Sequence, residues 1–298
     1  MPRTILDVSR WQGRIDWDKV KASGKVDGAL LKTVSTNRKL SKRKDGLYID
    51  PTFERNYSEC KRLGIPVGVY YYTYATDKQM ADAELALLKT ALTGKTFELP
   101  ISVDVEDNKI KKLSTQALTD LAAYALATVE RWGFYALLYV GLNFAQTELY
   151  MGGAALRKYD VWLARYPRDK SKTKPEDKPK TDFAFGMWQY TSSGKIPGIA
   201  KGADLSVAYK DYAAIIQRKG HLPIEKIHQK LLQRRLPHHR IRQGNPRQIG
   251  FLQLQKAVCP AWLQTLQLQI NLRPFCPRMM GKRPPRRLQN FRGAQFDW

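Results

Sequence analysis

The sequence predicts an α/β protein built on a parallel sheet or a β/α barrel, and three observations carry that expectation. Between residues 4 and 209, apolar β-branched runs of strand length alternate with segments of helical periodicity. Several of the runs end in acidic residues, and barrels of this kind carry their reactive groups at the C-terminal ends of strands. The last two strand-like runs have no helical segment between them.

Residues 4–9 (TILDVS) read as a short strand that delivers Asp7 at its end. In the following RWQGRIDWDKV, Asp16 suits a helix N-cap, with Trp17 and Val20 spaced for packing. Residues 27–33 form the next strand, ending at Lys32 and polar neighbours, and residues 39–44 form a basic, solvated loop. Phe53, Tyr57 and Cys60 recur at helical spacing within residues 51–64, with Gly64 as the stop, so Cys60 is read as a packing residue. Residues 65–75 (IPVGVYYYTYA) are strand-like, with tyrosines at 70, 71, 72 and 74. Some of these belong to the core, and others can stack on sugar rings while their hydroxyls hydrogen-bond. An amphipathic helix over 78–92 leads to the strand at 99–108. A second long helix follows over 114–132, with Ser114 as N-cap and Gly133 as stop. Strand signals at 135–141, 160–166, 185–190 and around Asp204, a helical 143–150 and an exposed loop at 170–180 complete the series.

The stretch LPISVDVEDN, residues 99–108, is the centre of the chemistry. Successive strand residues alternate faces with a rise of about 3.3 Å, so Asp104 and Glu106 share a face roughly 6–7 Å apart while Asp107 points away. Repulsion and partial burial raise one of the two pKa values. A protonated acid then stands beside an ionised carboxylate, as glycosidic cleavage requires. The plain alternative is a polar strand end with Asp107 and Asn108 as turn residues. All four histidines, at 221, 228, 238 and 239, lie beyond the barrel region. Ser-His and Cys-His nucleophiles and His-ligated metals are therefore unavailable to it, and acid–base work falls to carboxylates. Asp7, Asp104, Glu106 and Asp204 are the candidates.

A composition of 43% hydrophobic and 26% charged residues is that of a globular chain, and no apolar run approaches membrane-span length. The net charge of +24 is uneven, because residues 220–298 hold 15 Lys and Arg against 2 acids. Nucleic acid, anionic lipid and anionic wall polymer all suit such a charge. The tail is compatible with a cell-wall attachment region, with an unstructured basic extension, or with an altered reading frame. Three cysteines without ligand spacing indicate neither a disulfide framework nor a zinc site. The opening MPRTILDVSRW lacks an apolar leader, so a standard secretory signal is not expected.

DVSRWQG, VGVYYYTYA, VDVE, LLYVG, VWLARY, MWQYTSSGKIPGI and GADLSV, in that order, resemble the glycoside hydrolase family 25 lysozymes, the Chalaropsis-type muramidases common among phage endolysins. The resemblance runs from about residue 4 to about residue 217 and implies a flattened TIM-like barrel with some strands lacking helices, taken as residues 1–219; the basic extension at 220–298 lies outside the resemblance. It implies cleavage of the β-1,4 bond between N-acetylmuramic acid and N-acetylglucosamine in peptidoglycan. By position, Glu106 resembles the general acid and Asp104 the acid that orients the substrate acetamido group. Asp7 and Asp204 match the remaining acids, and Tyr70, Tyr139, Trp162, Trp188 and Tyr190 the aromatic groove, though Trp188 and Tyr190 also suit core positions. No cofactor is implied. The expected partners are peptidoglycan and anionic wall polymers, without nucleic acid or membrane insertion. A monomer is expected, held in the host cytoplasm before acting on the wall. A non-catalytic carbohydrate-binding barrel and a nucleic-acid-binding protein are the competing readings.

Overall fold

The computed structural model describes residues 1–169 and 173–220. In chain order, β1 (Arg3–Val8), α1 (Trp17–Ala22) and β2 (Gly28–Lys32) are followed by the short strands β3 (Val34–Thr36) and β4 (Leu47–Ile49). Then come α2 (Phe53–Arg62), β5 (Val67–Tyr72), α3 (Lys78–Leu92), β6 (Ile101–Asp104) and α4 (Thr115–Arg131). The series ends with β7 (Ala136–Gly141), α5 (Leu142–Glu148), β8 (Asp160–Ala164), β9 (Met187–Gly194), β10 (Ala203–Ala208) and α6 (Tyr212–Lys219).

Eight strands close into a barrel in the order β1-β10-β9-β8-β7-β6-β5-β2, and β2 pairs back onto β1. Seven run parallel. β10 alone is reversed, pairing antiparallel with both β9 and β1. No α-helix separates β8 from β9 or β9 from β10, in keeping with the absence of helical periodicity late in the chain.

Side-chain alternation divides each strand between two apolar regions. On β5, Val67, Val69 and Tyr71 pack outward in the large core shared with the helices. Tyr70 points inward, where Ile5, Leu30, Leu99, Leu137, Trp162 and Met187 fill the barrel, and Tyr212 and Ile216 bring α6 against the same cluster. Gly68 is required on the inner face. A Cβ there would stand 2.4 Å from the Pro100 carbonyl and 2.7 Å from Leu30. Fully buried leucines such as Leu138 and Leu163 each contribute roughly 1.5–3 kcal/mol to this packing.

The helix signals act as their chemistry dictates. Asp16, Asp77 and Ser114 accept backbone N–H groups from Lys19, Met80 and Ala117 at 3.1, 2.8 and 3.2 Å. Gly64 and Gly133 follow α2 and α4 with φ of 62° and 86°, conformations that other residues adopt only under strain. Trp17 on α1 is buried, and its indole N–H donates to Asn56 Oδ1 on α2 at 3.0 Å. Cys60 is buried in the outer core.

The basic stretch at 39–44 is an exposed loop, as read, but the short strands β3 and β4 that it joins and the helix at 212–219 were not expected. The loop expected at 170–180 is described only from residue 173, with a short 3-10 turn at Pro175–Asp177. Apart from Gly220, the C-cap of α6, the basic extension lies outside the described residues. Among the described residues no helix is long and apolar enough to cross a membrane.

Candidate active site

The parallel strands all deliver their last residues to one rim, so residues distant in sequence meet there. Asp7 arrives on β1, Lys32 on β2, Tyr70 and Tyr72 on β5, Asp104 and Glu106 at the end of β6, Tyr139 on β7, and Trp162 on β8. With Gln189 and Asp204 these side chains line a cavity of about 120 Å³. Asp204 reaches it by a route opposite to the expected one. It stands at the start of its strand, and only the reversal of β10 sets it across from Asp7, its register partner.

The four acids occupy two depths. Asp7 and Asp104 are buried, at 4% and 3% exposure, whereas Glu106 and Asp204 are half-buried and face the opening. Asp7 is pushed well above the usual carboxylate range by burial first and by Asp204 next. The two carboxyls share a hydrogen bond, which requires a proton, and Asp7, the deeper, holds it. Gln189 Nε2 donates to Asp7 Oδ2 at 3.0 Å, while its Oε1 accepts the hydroxyls of Tyr139 and Tyr166 at 2.9 Å each. One buried amide thus fixes an acid and two phenols.

Asp104 is raised by burial and by Glu106, against the opposing pull of Lys32. Its Oδ1 is buried with no protein hydrogen-bond partner, leaving an acceptor for a donor supplied in the cavity. Glu106 is raised by burial, with Asp204 and Asp107 adding to the effect and Lys32 and the Tyr139 hydroxyl opposing it. Burial likewise depresses the Lys32 ammonium, against the attraction of Asp104, Asp50 and Glu106. That ammonium lies 4.9 Å from the Tyr72 ring centroid and 5.8 Å from that of Tyr70. The cavity therefore holds a carboxyl shifted toward its neutral form at its opening, a buried carboxyl oxygen without a protein partner beneath it, and the Lys32 cation opposing the rise of both acids.

Asp107 turns away from this group. Its carboxylate accepts the Tyr72 hydroxyl at 3.1 Å and the Lys109 N–H at 2.8 Å, the turn geometry of an Asp-Asn pair. The aromatic residues divide as well. Tyr70, Tyr139 and Trp162 line the cavity, but Trp162 is 1% exposed, edge-on to Tyr139 at 4.5 Å, with its N–H donated to Ser206 Oγ at 2.9 Å. It is a wall of the cavity rather than an open platform. Trp188 and Tyr190 do not reach the cavity. On β9, Met187 and Gln189 take the inner positions, and the intervening residues pack outward, with Trp188 donating to the Arg165 carbonyl at 2.8 Å. Lys32, Tyr72 and Gln189 are the lining residues that the sequence reading did not assign. The available signal was a polar side chain within an otherwise buried strand. Among the described residues, no group of three or more His, Cys, Asp or Glu is arranged to hold a metal ion.

Comparison with known proteins finds chains similar to this one. YegX of Escherichia coli, an uncharacterized protein, is 29% identical over 204 residues, 68% of each chain. The autolytic lysozyme of Clostridium acetobutylicum is 25% identical over 201 residues, 67% of this chain and 54% of its own. Among solved structures, the modular autolysin LytC from Streptococcus pneumoniae has a TM-score of 0.58 at 27% identity, over 70% of this chain and 47% of LytC. The chain thus spans about half the length of these two larger proteins. The sequence profile of glycosyl hydrolases family 25 matches residues 6–199, which take in Asp7, Asp104 and Glu106, and on that match the chain belongs to the family.

Proposed function

We propose that this glycoside hydrolase is a lysozyme of the endolysin kind, an N-acetylmuramidase that cuts the β-1,4 bond between N-acetylmuramic acid and N-acetylglucosamine in bacterial peptidoglycan. The observation that carries the reading is the pairing of Glu106, half-buried at the opening and held toward its neutral form, with the unpartnered acceptor of Asp104 below it. Neutral Glu106 protonates the leaving glycosidic oxygen. Asp104 accepts the acetamido N–H of the muramyl unit and turns its carbonyl oxygen onto the anomeric carbon, so the substrate supplies the nucleophile. The resulting cyclic intermediate is opened by water, from which the Glu106 carboxylate takes a proton. Asp7 and Asp204 share a proton at the far side and frame the pocket. The place of action on this reading is the bacterial wall, with peptidoglycan as the binding partner.

Mass spectrometry of digested peptidoglycan tests the bond assigned. New reducing ends on muramic acid are expected, and ends on glucosamine, or none, would overturn the assignment. The first-formed anomer should be retained. An inverted product would remove the acetamido step and require direct attack by water.

A further inference from the structure

Among the tryptophans of the described chain, Trp17, Trp162 and Trp188 are each 1% exposed, whereas Trp11 is 60% exposed. An indole this exposed adds little burial to the fold. Trp11 nevertheless sits on a turn that is hydrogen-bonded at several points. It lies four residues past Asp7, so the two Cα atoms are at most about 14 Å apart. The turn Arg10–Gln12 is closed at both ends: Ser9 Oγ accepts the Trp11 N–H at 3.3 Å, and Gln12 Oε1 accepts the Ser9 N–H at 2.9 Å. Gln12 Nε2 also donates to the Gly202 carbonyl at 3.3 Å, joining the turn to the approach of β10 two residues before Asp204. From the third side, the Arg10 N–H donates to the buried carboxylate of Asp50 at 3.0 Å. The indole is exposed on a rigid mount.

Arg10 adds a second observation. Its guanidinium lies 4.0 Å from the centroid of the Trp11 ring and covers one face, leaving the other open. Its Nε is buried with no hydrogen-bond partner, and the side chain makes no ion pair with any described carboxylate. Its charge opposes that of the Lys32 ammonium, so the two cations lie within electrostatic range of each other. A rigid aromatic face suits the apolar face of a pyranose ring, and an unpaired guanidinium suits a carboxylate.

We propose that Arg10 and Trp11 form a glycan-strand subsite beside the catalytic cavity, Trp11 stacking on a sugar ring and Arg10 pairing with a carboxylate carried by the muramyl unit. The inference rests on the muramidase reading and extends it to a second point of contact. The carboxylate has two sources, the lactyl ether of a peptide-free muramyl unit or the stem peptide attached to it.

Steady-state kinetics on intact glycan strands and on strands stripped of stem peptides by an amidase test the proposal. Trp11→Ala should raise KM about tenfold on both substrates with kcat within threefold, and Trp11→Phe should restore most of the loss. Arg10→Gln should raise KM on the substrate whose carboxylate it reads. A rise on stripped strands assigns the lactyl group, a rise on intact strands assigns the stem peptide, and Arg10→Lys should recover part of either. An unchanged KM for Trp11→Ala, or for Arg10→Gln on both substrates, overturns the subsite. Failure of the parent reading looks different, because the unaltered enzyme would then release no muramic-acid reducing ends.

Discussion

Glu84 offers a test of how the rim is held. This α3 residue is 2% exposed, and its two carboxyl oxygens accept the Thr73 hydroxyl at 2.6 Å and the Tyr74 N–H at 2.8 Å, fixing the segment just past Tyr70 and Tyr72. Burial outweighs these hydrogen bonds and pushes its carboxyl up to about 7 from the ordinary 4.5. A carboxyl raised in the folded state binds more protons there than in the unfolded chain between those two values. Its contribution to stability is therefore complete below pH 4.5 and is lost as pH rises to 7, by on the order of 3 kcal/mol. Glu84→Gln removes that slope but offers only one oxygen to two donors, a loss of about 1–3 kcal/mol at every pH. Urea unfolding of both proteins at pH 5 and pH 8 isolates Glu84, because the difference between them cancels every other titrating group. The variant should be the weaker at pH 5, and the stability difference should shift in its favour by about 2.5 kcal/mol at pH 8, enough to cancel or reverse the deficit. A difference that stays flat within about 0.5 kcal/mol between the two conditions would refute the argument.

Two further outcomes follow from the cavity. Lys32→Met removes the cation that opposes the rise of Asp104 and Glu106, so the general acid keeps its proton to higher pH. The alkaline limb of the kcat/KM profile should move upward, and a limb that stays in place or moves down speaks against Lys32 as the balancing charge. Gln189→Leu strips partners from buried Asp7 and Tyr139, while half-exposed Tyr166 can turn to water. Unfolding should become easier by about 2–4 kcal/mol with a fall in kcat, and a loss below about 1 kcal/mol would show that the amide is not the hub drawn here.

The sequence made the barrel and three of its acids legible because both depend on local pattern. Asp7, Asp104 and Glu106 each end an apolar run, and parallel strands carry such ends to one rim. Asp204 was placed correctly at the rim but at the wrong end of its strand, since direction depends on β9 and β10 pairing antiparallel across a turn. Trp188 and Tyr190 show a different limit. A strand buried on both faces has no polar side to reveal which residues turn inward, so period-two alternation leaves the choice open. The inward residue proved to be Gln189, whose role depends on partners 50 and 182 positions away in the chain. Trp162 and Tyr139 face the cavity as anticipated, but the depth at which Trp162 sits is set by barrel packing. The β3–β4 pair was hidden by the charged tip between its strands, three residues long each.

In the proposed reaction Glu106 is the group that gives up a proton to the leaving oxygen. Glu106→Gln keeps the shape of the side chain and removes that proton, so turnover of soluble glycan strands should fall on the order of 10²–10⁴-fold while the variant still sediments with cell walls. Turnover within a few-fold of the unaltered enzyme would contradict the assignment.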